Sequence, residues 1–282
     1  TEQPDLLLAT DPDCDRVGIA VKDGSDYVLF SGNEVGAMLL EYICKERTAL
    51  GTMPKNPLTV KTIVTTEIIR AIAADYGVEV IETLTGFKFI GEQIGLLEDK
   101  GEEGRYIFGY EESYGYLAGT YVRDKDAVVA SMLICEMAAF YRSKGISLIE
   151  ARAKMYAKYG MFLHKQVSFT FEGATGMQNM AEIMNELRDN SPTQIGGLKV
   201  LAIADYKAGV KTNLVNGSKT KITLPMSDVL SFTLDDDASV IIRPSGTEPK
   251  IKVYYATKSD CLENAEALQS KISSDFIKIL GF

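Results

Sequence analysis

The sequence predicts an α/β architecture followed by an α+β one: a mixed-sheet α/β domain, then a C-terminal domain with an antiparallel sheet. Three observations lead there. Up to about residue 160, short apolar strands alternate with segments of helical period, as crossover-linked parallel strands require. Beyond it, "FLHKQVSFTF" alternates with period two, and the pair Asn216-Gly217 signals a hairpin. The last apolar strands precede a long amphipathic C-terminal stretch.

The elements follow in order. Residues 6–9 and 17–21 read as strands flanking an acidic loop. The first, taken as a buried parallel strand, needs neighbours, yet only about five residues precede it and the chain opens on Thr1. The expectation is a fragment whose natural N-terminal part is missing. Ser31 and Glu34 have capping-box spacing, and Val35, Met38, Leu39, Tyr42 and Ile43 continue at helical spacing. After the turn-rich "GTMPKNP" come a strand at 60–64, a helix at 67–76 closed by Gly77 and a strand at 78–83. A helix at 87–100 closes at Gly101, and a strand follows at 105–108. A long helix spans 126–144 before Gly145, and Ser147 with Glu150 opens another that ends near Gly160. Further on, the pattern predicts a helix at 177–187, strands at 198–204, 229–234, 239–242 and 251–255, and a helix at 262–279.

Composition narrows the function. The 282 residues are 46% hydrophobic, enough for two or three cores, and 39 acidic against 30 basic residues give a net charge of −9. That balance argues against a general nucleic-acid or membrane-surface binder, but leaves room for a local basic pocket. No apolar run has membrane-span length and no signal-peptide pattern opens the chain; the expected location, the cytoplasm, goes with reduced thiols. Cys14, Cys44, Cys135 and Cys261 form no CxxC pair and read as reduced thiols. His164, the single histidine, sits in an alternating strand and reads as structural.

Three stretches carry chemistry. In "DPDCDR", Asp11, Asp13 and Asp15 occupy alternate positions, which extended backbone points the same way. Carboxylates so close repel unless a cation or protons neutralise them, and few hard oxygen ligands on a loop suit Mg²⁺. An EF-hand is excluded because its sixth and twelfth positions would be Arg16 and Lys22. A strand leading into Asp-x-Asp is also similar to haloacid-dehalogenase-like phosphatases, which keeps open a hydrolase with Asp11 as nucleophile. A solvated acidic loop is the plainest alternative. In "GYEESYGYLAGTYVRDKD", Glu111, Glu112, Ser113, Arg123 and Lys125 share a Gly- and Tyr-rich segment. Carboxylates, a hydroxyl and aromatic faces suit a polyol, although a surface loop would carry the same residues. In "IIRPSGTEPKIKVYY", Arg243, Ser245, Gly246 and Thr247 lie between two strands. A bidentate cation, hydroxyl donors and a turn of inward N–H groups make a phosphate cradle, against the alternative of an ordinary hairpin.

Taken together, these residues resemble the α-D-phosphohexomutases, nearest the bacterial phosphoglucomutases related to phosphopentomutase. "DPDCDR" is similar to the family's magnesium loop and "TLTGFKFIG" to a turn of its third domain. "GYEESYG" is similar to its sugar-binding loop and "RPSGTEPK" to its phosphate loop, in the family's order. The resemblance implies Mg²⁺ on Asp11, Asp13 and Asp15, with Arg16 beside the phosphoryl site. It also implies that Glu111 and Ser113 bind sugar hydroxyls, with Arg123 in the substrate-facing set. Thr85, Gly86 and Lys88 would line the cleft, and Lys125 would sit near the reacting hydroxyl. Arg243, Ser245, Gly246 and Thr247 would hold the phosphate that is not transferred.

One departure matters: the family's phosphoserine motif occurs nowhere in the chain. The implied organisation is a second-domain tail at 1–31, a sugar-binding domain at 32–160 and a phosphate-binding domain at 161–282. The implied partners are a hexose phosphate and the missing N-terminal domains of the same parent chain. No nucleic acid or membrane is implied. A non-catalytic paralogue that only binds sugar phosphate stays open beside the mutase reading.

Overall fold

The structure is a computed structural model; it describes residues 3–171, 175–246 and 248–282. Thr247, one of the expected phosphate ligands, lies outside the described residues. The chain forms two compact units, Thr1–Tyr159 and Gly160–Phe282.

The first unit opens with an antiparallel meander, β1 (Leu6–Thr10), β2 (Val17–Asp23) and β3 (Asp26–Phe30). Val17, Ile19 and Val21 are buried and alternate with less buried residues, which gives the sheet one core face. The expectation of a buried parallel first strand is corrected here. β1 pairs antiparallel with β2, and Leu7 and Leu8 are 44% and 36% exposed. The acidic loop is the reason: the chain turns back through it, with Cys14 in the left-handed region at φ 57°. The strand β3 went unpredicted because "DYVLF" lacks strict alternation.

The second sheet has the order β5-β4-β6-β7 and consists of β4 (Leu58–Thr62), β5 (Glu79–Thr83), β6 (Tyr106–Glu111) and β7 (Gly115–Leu117). β4 runs parallel to β5 and β6, while β7 returns antiparallel to β6. Five helices accompany these strands: α1 (Gly32–Ala49), α2 (Ile68–Asp75), α3 (Phe87–Glu98), α4 (Ala127–Ser143) and α5 (Leu148–Tyr159). Phe87, Ile90, Ile94 and Leu97 of α3 pack with Leu58, Val60, Tyr106 and Leu117. Phe108, Tyr110 and Tyr116 cluster with ring centroids 5.7–6.4 Å apart. Gly36 of α1 lies against Tyr110, where an added Cβ would come within 2.2 Å of the ring. α4 packs on both sheets, touching β1, β2 and β7.

The capping boxes form as predicted. Glu34 N–H donates to Ser31 Oγ at 3.3 Å and Ser31 N–H to Glu34 Oε2 at 2.8 Å. Ser147 and Glu150 repeat the pattern ahead of α5. Ser31→Ala is expected to cost about 1 kcal/mol of stability, as read by urea denaturation; no change would show that the cap is redundant with tertiary packing.

Among the described residues, the second unit is an antiparallel sheet with two helices. Its sheet order is β12-β11-β10-β13-β14-β15-β8, and β9 pairs with β10. The strands are β8 (Met161–Thr170), β9 (Gln194–Ile195), β10 (Leu198–Asp205), β11 (Val210–Asn213), β12 (Lys219–Lys221), β13 (Leu230–Leu234), β14 (Ser239–Pro244) and β15 (Lys250–Ser259). The helices are α6 (Gly176–Asp189) and α7 (Leu262–Ile279), which place Met180, Met184, Ile272 and Phe276 against Phe232, Val240, Ile251, Val253 and Tyr255. The Asn216-Gly217 hairpin is present between β11 and β12, with Gly217 at φ 72°. Among the described residues, no helix is long and apolar enough to cross a membrane.

Candidate functional site

Asp11, Asp13 and Asp15 do converge, each offering a carboxylate oxygen within 4.8 Å of the other two. The route differs from the extended backbone expected from their alternation. Asp11 Oδ1 accepts N–H bonds from Asp15 and Arg16, both at 3.1 Å, so its side chain closes a turn and folds the loop onto itself. The Arg16 N–H is the main reason the Asp11 carboxyl is held below the usual carboxylate range. Asp15 Oδ1 is buried and accepts no hydrogen bond; Arg16 Nε lies 3.6 Å from it, beyond hydrogen-bonding range. Three clustered carboxylates with an orphaned buried oxygen fit a hard divalent cation better than a solvated loop.

The loop is anchored from both sides. Val17 N–H donates to Tyr114 O at 3.2 Å, and Ala127 N–H, at the start of α4, donates to Cys14 O at 3.2 Å. Asp126 caps α4 through Val128 and Val129 N–H at 2.8 and 3.0 Å. Just before this cap, Lys125 Nζ reaches Asp15 Oδ2 at 2.8 Å and Asp124 Oδ1 at 3.0 Å. Burial works against the Lys125 charge, but the bonds to Asp15 and Asp124 outweigh it and raise its pKa above the ordinary lysine value. Lys125 is therefore an ammonium at neutral pH.

Of the sugar-binding candidates, the structure brings Gly86 and Glu111 into contact, at the ends of β5 and β6. The end of β6, the turn Glu112-Ser113-Tyr114 and β7 form a tight hairpin, with Tyr114 at φ 69°. Part of the segment read as a loop, its beginning and residues 115–117, is thus paired strand. Glu111 is buried, and its Oε1 accepts the N–H of Gly86 at 2.7 Å, tying the hairpin to the turn ahead of α3. Gly86 has φ 119° and ψ 121°, a conformation L side chains rarely adopt, so that turn requires glycine. Ser113 and Thr85 are half-buried, and Lys88 is exposed with its ammonium 4.9 Å from the Phe89 ring centroid. Arg123 is engaged with Glu98 and with the carbonyls of Thr120 and Val122, so its guanidinium organises its own loop.

In the second unit, β14 and β15 frame the expected phosphate loop, with Pro244 opposite Ile251. Ser245 N–H donates to Lys250 O at 2.7 Å, and Ser245 Oγ accepts Glu248 N–H at 3.3 Å. Arg243 is half-buried on β14. Gly246 has no positive φ, and an added Cβ would meet nothing within 4 Å. Neither a positive φ nor crowding within the described residues demands glycine there.

Two residues escaped the sequence reading. Gly115 is glycine because the Lys125 stem runs where its Cβ would be, 2.2 Å from Cδ, and no local signal announces that contact. Lys61 is the other, its only local signal being a lone charge in "LTVKT". It is fully buried, with Nζ 2.6 Å from Glu67, 3.0 Å from Glu82 and 3.1 Å from Thr65 O.

Comparison with known proteins gives a consistent picture. Residues 31–159 match the family described as phosphoglucomutase/phosphomannomutase, alpha/beta/alpha domain III, and residues 196–269 match its C-terminal domain. A phosphoglucomutase of Staphylococcus epidermidis is 39% identical over 257 residues, covering 91% of this chain and 46% of the relative. One from Staphylococcus aureus is 39% identical over 255 residues, 90% of this chain and 45% of the relative. The chain thus spans about half the length of these curated relatives. Among solved structures, the open form of the Paramecium phosphoglucomutase pp63/parafusin superposes with a TM-score of 0.68 at 22% identity, covering 99% of this chain and 45% of that one. A phosphoglucomutase/phosphomannomutase family protein from Burkholderia thailandensis gives 0.60 at 14% identity, covering 98% and 46%. At such identities these two structures speak to the fold alone.

Proposed function

The chain belongs to the phosphoglucomutase/phosphomannomutase family, and from that premise we propose that it is the C-terminal portion of a cytoplasmic mutase interconverting glucose 1-phosphate and glucose 6-phosphate. The observation that carries this reading is the convergence of Asp11, Asp13 and Asp15 in a chain 39% identical to proteins named phosphoglucomutase. In this reading the parent's remaining half supplies a phosphoserine, and transfer proceeds through a hexose 1,6-bisphosphate that reorients before returning a phosphoryl group. This chain alone is then inactive. Residues 1–31 form the tail of a second domain, 32–160 a third and 161–282 a fourth.

The roles follow from the groups present. Asp11, Asp13 and Asp15 would hold Mg²⁺, which when bound neutralises charge on the transferring phosphoryl group. Arg16 stands beside this centre, and its half-exposed guanidinium suits a phosphoryl oxygen. Lys125 is the group for proton transfer at the sugar oxygens: its ammonium protonates the oxygen released when a phosphoryl group returns to the serine, and the resulting amine takes the proton of the hydroxyl that attacks in the opposite transfer. Glu111 and Ser113 accept and donate hydrogen bonds to ring hydroxyls, with Thr85, Gly86 and Lys88 on the adjoining turn and Arg123 bracing the loop. Arg243, Ser245, Gly246 and Thr247 grip the phosphate that stays on the sugar. The small residue at Gly246 leaves that phosphate room to approach.

Reassembly tests this. Joined to the missing N-terminal portion of its parent, the chain is expected to convert glucose 1-phosphate to glucose 6-phosphate in a dehydrogenase-coupled assay, while the chain alone turns over neither. Metal-dependent release of inorganic phosphate by the chain alone, abolished by Asp11→Asn, would instead establish a phosphatase with Asp11 as nucleophile.

A further inference from the structure

Asp15 is divided between two environments. Its Oδ2 is held by Lys125 Nζ at 2.8 Å, while Oδ1 is buried without a hydrogen bond. Asp11 is divided likewise, with Oδ1 committed to two backbone N–H groups at 3.1 Å. Two of the three acids therefore have one oxygen already engaged within the protein. The Lys125 placement is built in. Its stem fills the space above Gly115, where a Cβ would lie 2.2 Å from Cδ. Asp124 holds the same ammonium at 3.0 Å, and the Phe87 ring centroid lies 5.5 Å from it.

We propose that Lys125 is a metal-selectivity residue: by occupying Asp15 Oδ2 it limits Asp15 to one-oxygen coordination and so favours Mg²⁺ over Ca²⁺. The physical basis is ligand count. Mg²⁺ keeps near-octahedral geometry with few protein oxygens, one from each carboxylate, whereas Ca²⁺ takes six to eight oxygens and readily accepts both from one carboxylate. A lysine clamped on the second oxygen withholds the ligand that Ca²⁺ would add. Asp11, with one oxygen spent on the turn, enforces the same limit from the other side of the cluster. This inference rests on the reading of the acidic triad as a divalent-cation site.

The test is titration calorimetry of this 282-residue chain with MgCl₂ and with CaCl₂ at matched ionic strength, for the wild type, Lys125→Met and Gly115→Ala. Lys125→Met removes the clamp. Gly115→Ala pushes it off Asp15 while keeping the charge, and stands in should the first variant fold poorly. Both ions carry the same charge, so the ratio of their affinities cancels the general electrostatic gain from losing a lysine. The Ca²⁺-to-Mg²⁺ affinity ratio is expected to rise about tenfold or more in both variants, the scale on which residues behind metal ligands act. Binding of both ions with an unchanged ratio in both variants overturns the selectivity role and leaves the triad reading standing. Uptake of neither ion by the wild type overturns both.

Discussion

Asp13→Asn in the reassembled enzyme is expected to lower kcat by at least about 10²-fold, because charge neutralisation at a transferring phosphoryl group contributes several kcal/mol and each 1.36 kcal/mol is tenfold in rate. Asp13 is the informative member of the triad. Asp11 also closes the turn and Asp15 also pairs with Lys125, so replacing either disturbs local structure. Asp13 is exposed, so its replacement should leave the melting temperature unchanged while removing one carboxylate from the cluster. The coupled mutase assay measures the loss, and calorimetry measures the accompanying weakening of Mg²⁺ uptake. Turnover within a few-fold of wild type would remove the triad from the mechanism.

Lys61→Met is expected to destabilise the first unit by about 1–3 kcal/mol, because it strips the carbonyls of buried Thr62 and Thr65 of their donor, while Glu67 and Glu82, both partly exposed, keep Arg70. Lys61 is fully buried at the end of β4, and its ammonium bridges Glu67, Glu82 and the carbonyls of Thr62 and Thr65. Arg70 closes the ring by pairing both glutamates at 2.8 Å. Methionine fills much the same volume, so the loss reports the missing ammonium donor rather than a cavity. Urea denaturation measures the loss; an unchanged stability would mean that those carbonyls do not depend on the ammonium.

The same ring sets an acid dependence. Burial pushes the Glu67 carboxyl up, but Lys61 and Arg70 outweigh it and hold its pKa below the ordinary value. A carboxyl depressed in the folded state contributes stability above its unfolded pKa, about 4.3, and loses that contribution as pH falls through the lower folded value. Wild-type stability should therefore decline on acidification below about pH 4, and Lys61→Met, which leaves Arg70 on Glu67, should weaken that part of the decline.

Most secondary structure was legible from local chemistry. The capping boxes at Ser31 and Ser147, the apolar spacing of α1 and the closure of α4 at Gly145, φ 70°, depend on neighbours within a few residues, and they form as read. Less legible were elements whose reason lies elsewhere in the chain. β7 was hidden in a Tyr- and Gly-rich stretch because its partner β6 decides that it is a strand. The antiparallel direction of β1 is not legible locally, because an apolar run carries no information about the direction of its neighbour.

The sequence by itself determined the alternation of strands and helices, the position of the acidic trio and the identity of the groups able to hold a metal, a sugar hydroxyl and a phosphate. These are properties of residue type and short spacing. Only the tertiary structure decided how each group is used. It showed that Asp11 closes a turn, that Lys125 clamps Asp15 above a glycine ten residues away, that Gly86 holds Glu111, and that Lys61 is buried among carboxylates. Each of these contacts joins residues on different strands, helices or turns, or depends on how the chain reverses between them. A carboxylate's remaining ligand capacity is set by which of its oxygens such neighbours have already engaged, and folding settles that after the local pattern has been written.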